Sequence, residues 1–163
     1  MGLRTMKRRR RENKTDYKLR LNLLKSGLDR IVIRRTNRYF IVQAVSSSEG
    51  QDRVTLGITS KELLKYGWDP KFSGSLKSVP AGYLTGLLMA KKLKKKEFVV
   101  DLGMARTIKG CRVFAVVRGL VDGGLKVSAG DVFSDEGRLV GEHMGEELKK
   151  MIASVRERIE NGK

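Results

Sequence analysis

The pattern of apolar and polar positions changes character along the chain. Between residues 30 and 58 it comes in short runs and alternations; further on it recurs at helical spacing. Ile31, Val32 and Ile33 form an apolar run bounded by charge, which predicts a strand over Arg30–Arg35. Thr36-Asn37-Arg38 reads as a tight turn in which Asn37 can take positive φ. Tyr39–Val45 predicts a second strand. Tyr39, Ile41 and Val45 share one face and Phe40, Val42 and Ala44 the other, so it should be central in its sheet. A polar turn over Ser46–Asp52, containing Gly50, leads to a third strand at Arg53–Ile58. Together these predict a three-stranded antiparallel meander.

Thr59 and Glu62 have the spacing of a capping box, which opens a short helix that Gly67 can end. Trp68 and Phe72 flank Pro70 in the loop that follows. They can stack on bases, but a cover over the core is the simpler role. Ser78-Val79-Pro80 opens a longer helix running to about Lys95, with Leu84, Leu87, Leu88 and Leu93 as its apolar stripe. Gly82 and Gly86, four apart, allow close backbone approach to another element. Lys91, Lys92, Lys94, Lys95 and Lys96 end this helix. They suit its C-terminal dipole or form a further anion-binding surface, and the sequence favours neither. Glu97–Leu102 predicts a buried strand, and Met104–Gly110 a loop carrying Arg106 and Lys109. Arg112–Leu125 has a strand-like start, but Val113, Val116, Val117, Leu120 and Val121 recur at helical spacing and predict a helix. Lys126-Val127 can add a short strand. From Asp135 the chain reads as helical, with a break near Gly145. The expected architecture is α/β, a mixed sheet made of the meander and further strands and packed with helices.

Charge adds what periodicity does not show. The chain of 163 residues has a formal net charge of +17. From Met1 to Arg38 there are fourteen Lys or Arg against three acids, so this first quarter holds +11 of it. Lys7–Arg11 is an unbroken run of five cations. Such a run cannot be buried, because each charge would lose its hydration unpaired, and it repels itself into an extended or loosely ordered state when alone. A polyanion relieves that repulsion, and nucleic acid also releases its condensed counterions on binding. The residues divide into a basic N-terminal arm over 1–28 and a globular α/β domain over 29–163. Apolar anchors follow the basic run at Tyr17, Leu19, Leu21, Leu23 and Leu24, so the arm can dock and order, which a mere sorting tag has no need to do. Tyr17 can stack on an unpaired base, although one tyrosine among leucines more often packs on the body. Arg34, Arg35 and Arg38 cluster at the first hairpin. They act as a second phosphate-contacting patch or as edge charges that discourage aggregation, and the adjoining arm favours the first.

Other chemistry is scarce. The single cysteine, Cys111, rules out an intrachain disulfide framework and a Cys-rich zinc site and suggests a reducing, cytoplasmic setting. No apolar run approaches the roughly 20 residues of a membrane span, no hydrophobic h-region follows the basic start, and no membrane partner is expected. His143 is the only histidine, so neither a Ser-His-Asp set nor a His/Cys metal cluster is apparent. The glycines of Gly119–Gly124 lack a phosphate-loop Lys-Ser/Thr pair. One enzymatic alternative is a nuclease in which Asp101 and Asp122, with Glu136 or Glu142, bind two Mg²⁺ ions. Without a local acidic cluster, a turn cap at Asp101 and an ion pair at Asp122 are preferred. No catalytic residue, metal or cofactor is therefore assigned.

Read together, several motifs carry a resemblance. Arg8-Arg9-Arg10-Arg11-Glu12 and Thr15-Asp16-Tyr17 open the series, followed by Arg34, Thr36-Asn37-Arg38 and Lys65-Tyr66-Gly67. The run Ala81-Gly82-Tyr83-Leu84-Thr85-Gly86-Leu87-Leu88 comes next, then Asp101-Leu102-Gly103, Ala105-Arg106-Thr107, Gly110, Val113-Phe114 and Val121-Asp122-Gly123-Gly124-Leu125. In order and number, over about residues 7 to 145, they resemble the archaeal and eukaryotic members of large-subunit ribosomal protein family eighteen of the universal series, the 5S rRNA binders. Lacking the long C-terminal extension of the eukaryotic form, the chain looks archaeal. Val127-Ser128-Ala129-Gly130 stands where an Ile-Pro-His type of segment is expected, so no RNA contact is carried over to that loop. The resemblance implies a non-catalytic subunit on 5S rRNA in the central protuberance, bridging it to the large-subunit rRNA and to neighbouring ribosomal proteins. It implies phosphate contacts from Arg8, Arg9, Arg10, Arg11, Lys14, Lys18 and Arg20, a hairpin presenting Arg34, Arg35, Asn37 and Arg38, and Tyr17 and Tyr39 as candidate stacking groups. Folded RNA offers shape and splayed bases rather than a readable deep groove, so recognition led by shape is expected.

Overall fold

The computed structural model describes residues 5–93, 97–130 and 132–162. A four-stranded mixed sheet, ordered β3-β2-β1-β4, lies against helices. β1 (Arg30–Arg35), β2 (Phe40–Ser48) and β3 (Gln51–Thr59) form the expected antiparallel meander with β2 inside it. β4 (Val99–Asp101) returns parallel to β1, placing Asp101 beside Val32. The Lys126 strand is reduced to a bridge with Glu97.

Both hairpin turns differ from expectation. Asn37 does not take positive φ; among the described residues the non-glycine ones that do are Asn13 and Glu49. The first turn is organised by Thr36, whose hydroxyl donates to Tyr39 O at 2.8 Å and accepts from Tyr39 N at 3.0 Å. The second turn shrinks to Glu49-Gly50, at φ 51° and 80°. Left-handed conformation at both central residues matches the twist of the flanking strands, so the serines of 46–48 pair across the ladder instead of looping out.

Ile31, Ile33, Phe40, Val42, Ala44 and Ile58 point from the sheet into the core. α3 (Val79–Lys92) lies there and is buried on nearly every side from Val79 to Ala90, not along one stripe. An all-round apolar helix is what an enclosed position requires. α4 (Arg112–Asp122) crosses α3 at glycines: a Cβ on Gly86 would run into Val116 O, and one on Gly119 into Tyr83 O. This bears out the close approach expected of the glycine pair on α3. α5 (Glu136–Val140) and α6 (Glu146–Glu160) cover α3 further out, the chain breaking at Gly141 and Gly145 with a 3-10 turn between them. Ser60–Tyr66 is a 3-10 helix with the capping box intact and Gly67 left-handed at φ 98°. Trp68, 1% exposed, is core cover.

Two further expectations are corrected. β4 is three residues long, and Val99 and Val100 are half-buried, because it pairs on one side only and forms the sheet edge. The basic run is not extended: α1 (Arg8–Arg11) is a single helical turn, with Arg10 and Arg11 N–H groups donating to Lys7 O. Helical splay spaces the guanidinium groups, and Glu12 pairs with both Arg8 (3.3 Å) and Lys14 (2.9 Å). α2 (Tyr17–Lys25) follows, capped by Asp16, whose carboxylate accepts from the N–H groups of Lys18 and Leu19. Lys94, Lys95 and Lys96 lie outside the described residues.

Candidate nucleic-acid interface

The sheet face away from α3 holds charge where a core face would hold aliphatics. Arg30 on β1 is 2% exposed and lies between two carboxylates, Asp52 of β3 at 2.6 Å and Asp101 of β4 at 3.3 Å. A guanidinium with so little water persists only when paired and hydrogen-bonded. Each carboxylate then reaches outward to a second arginine. Asp52 accepts from Arg20 of α2 at 2.9 Å, tying the N-terminal segment to the sheet. Asp101 accepts from Arg34 at 2.9 Å through its side chain and at 2.7 Å through its carbonyl. The result is an alternating chain, Arg20–Asp52–Arg30–Asp101–Arg34, crossing from α2 to the end of β1. Burial pushes the Asp52 carboxyl up, but hydrogen bonds from Ser47, Arg30 and Arg20 and the charge of Arg30 outweigh it, leaving the group below its ordinary value.

Asp101 also accepts from Gly103 N at 2.8 Å, the turn cap expected of it. Asp122 accepts from Arg118 at 3.1 Å and from the Tyr83 hydroxyl at 3.1 Å. Both aspartates of the nuclease alternative are thus committed to arginines. Among the described residues no group of three or more His, Cys, Asp or Glu converges as a metal site would.

Where this chain of charges ends, a groove of about 830 Å³ opens. Its walls come from Lys14, the end of β1, the 102–110 loop, the first turns of α3 and α4, and α5. Six cations line it, Lys14, Arg34, Arg35, Arg106, Arg112 and Arg138, with no carboxylate among the lining residues. α4 begins there at Cys111 without a side-chain cap, so the positive end of a helix dipole adds to the same field. A smaller cavity of about 170 Å³, between α2 and the sheet, shares Lys14, Arg34, Gly103 and Met104 with the groove.

The structure therefore brings together Lys14, Arg34 and Arg35 in the groove, and Arg9 and Arg20 around the adjoining cavity. Arg8, Arg10 and Arg11 stand exposed on α1, Lys18 on α2, and Asn37 and Arg38 at the hairpin tip, outside the groove lining. Tyr17 carries Lys7 Nζ 4.7 Å from its ring centroid, and Tyr39, packed partly against the core, carries Lys61 at 4.5 Å. Sequence reasoning placed Arg106 on a loop but not in the site, and it missed Arg112 and Arg138. Their convergence depends on α4 packing against β1 and α3 and on α5 packing against α3, for which spacing along the chain holds no signal.

The chain is similar to known proteins over most of its length. The family model described as "Ribosomal large subunit proteins 60S L5, and 50S L18" matches residues 3–99. Large ribosomal subunit protein uL18 of Korarchaeum cryptofilum is 45% identical over 148 residues, covering 88% of this chain and 74% of that protein. That of Methanoculleus marisnigri is 46% identical over 143 residues, covering 85% and 79%. That of Methanothermobacter thermautotrophicus is 38% identical over 163 residues, covering 93% and 83%.

Proposed function

The chain belongs to the family of large-subunit ribosomal proteins that includes 60S L5 and 50S L18, and on that premise we propose that it binds 5S rRNA and helps to anchor it in the central protuberance. The family is structural and not enzymatic, and its place is the ribosome. Residues 1–28 act as the RNA-contacting arm, with Arg8, Arg9, Arg10, Arg11, Lys14 and Lys18 on phosphates. The base of the first hairpin, Arg34 and Arg35, joins them, and Asn37 and Arg38 extend the contact at its tip. The large-subunit rRNA and neighbouring ribosomal proteins of the protuberance are the further partners.

What supports this reading most is the groove. Cations from both ends of the chain line it with no acid among them, which suits a phosphate backbone better than a peptide or a small neutral ligand. One of those cations, Arg34, stands on a scaffold. Arg34 is held by Asp101, and Asp101 by buried Arg30, so its side chain loses little freedom on binding. The test is titration of the full chain against 5S rRNA and against a tRNA at matched salt. Tighter binding to 5S rRNA is expected; equal affinity for the two would overturn the proposal.

A further inference from the structure

Phosphate contacts account for the rim cations of the groove but not for the apolar side chains beside them. Ile33, Val79 and Val113 close its base as part of the buried core, Leu102 is half-buried above them, and two large aliphatic side chains stand uncovered on the loop at its mouth, Met104 at 54% and Ile108 at 62% exposure. A backbone-only contact would leave Met104 and Ile108 facing water or phosphate. At about 830 Å³ the space falls within the roughly 300–1,000 Å³ of sites that enclose small ligands. That is room for a nucleotide or two, and not for a duplex.

A flat group already waits there. The Arg34 guanidinium donates to Ile33 O at 2.9 Å as well as to Asp101 O and Oδ1, so three acceptors fix its plane. Gly103, left-handed at φ 60°, lies against it: a Cβ at that position would come 2.8 Å from Arg34 Cζ. The Arg34 side chain is nevertheless 42% exposed. An immobilised, partly open guanidinium plane beside aliphatic side chains is a surface on which a base can stack, and unpaired bases are what sequence-specific RNA recognition takes hold of.

We propose that the groove receives an unpaired nucleotide splayed out of the bound RNA, its base between the Arg34 guanidinium and the exposed side chains of Met104 and Ile108 and its phosphate on the rim arginines, Arg106 and Arg112 foremost. This rests on the RNA-binding reading above and adds the chemical class of the group that enters the site.

The test is base-specific chemical probing of a 5S rRNA transcript bound to the full chain. Wild-type protein is compared with Ile108→Ser and Met104→Ser, both at exposed positions where folding is not at stake. Wild-type protein is expected to protect the Watson–Crick edge of one or two unpaired nucleotides. Each serine variant should restore their reactivity and lower affinity by about tenfold, the loss expected for one stacked base, while backbone protection elsewhere persists. Identical base protections with all three proteins would overturn this inference and leave 5S rRNA binding standing. Failure of the wild-type protein to bind the transcript would overturn both.

Discussion

Arg30 is the side chain on which the polar face of the sheet depends. Replacing it with methionine leaves Asp52 and Asp101 facing each other's charge across the space the guanidinium filled. Breaking a buried pair in this way costs about 3–5 kcal/mol, which a urea unfolding curve will register as a lower midpoint. Asp52 gives the same network a dependence on acid. Its carboxyl lies below the ordinary 3.8 in the folded state, so its stabilisation is complete above that value and is lost as pH falls through the lowered one. Amide protection in α2, measured against the unfolded chain at the same pH, is expected to fall below about pH 3.8, and Asp52→Asn to show that lower protection already at neutral pH. Tyr83 behaves in the opposite sense. Burial and the Asp122 charge push its phenol up to about 12, so the stability it lends is full below pH 10 and disappears as pH rises through 12. A phenolate absorbance titration should show one late tyrosine, missing in Tyr83→Phe. At this scale the sequence disclosed which cations exist but not which are engaged. Nothing in the neighbours of Arg30 distinguishes it from Arg35, although one is enclosed and the other exposed, because the partners of Arg30 lie 22 and 71 residues away.

Elements were more legible than contacts, for reasons that differ from one to the next. α4 opens like a strand, and only the spacing of its valines reveals a helix; burial of Val113, Val116, Val117 and Leu120 shows that spacing to be the packed face. β4 reads as long and buried because EFVVDL is apolar, whereas it ends at Asp101, opposite Val32, although β1 runs on to Arg35: the chain turns away there, with Gly103 left-handed and its N–H on the Asp101 carboxylate. α2 could have been found from Asp16, whose carboxylate ends a loop and begins a helix. Asp16→Ala should cost that helix about 1 kcal/mol, visible as reduced protection of α2 amides. The α3–α4 crossing has a sharper test. Gly86→Ala forces a methyl group against Val116 O, a backbone atom that cannot swing away, and is expected to destabilise by about 1–3 kcal/mol. Gly74→Ala, with nothing within 4 Å of the new Cβ, should be close to neutral in the same melting experiment.

Over the whole molecule the positive charge is not spread evenly but gathers where the N-terminal segment, β1 and the 102–113 stretch meet. Binding to RNA should therefore weaken steeply with salt, by a factor that reports the number of phosphates neutralised. Arg106→Gln should lower the slope of log K against log salt by about 0.7–0.9, one contact, without changing the melting temperature. Removing residues 1–14 should lower it by several contacts while leaving the sheet and α3 folded.

The parallel pairing of β4 also has a consequence in time. Asp52 follows Arg30 closely, but Asp101 is 71 residues downstream. At roughly 5–20 residues per second of synthesis, a nascent chain holds its leading cations and first hairpin outside the exit tunnel for several seconds before the carboxylate that steadies Arg34 emerges. The groove thus matures last, after the segment that reaches it, and a chain stalled before residue 101 can attract RNA without having a finished place to seat it.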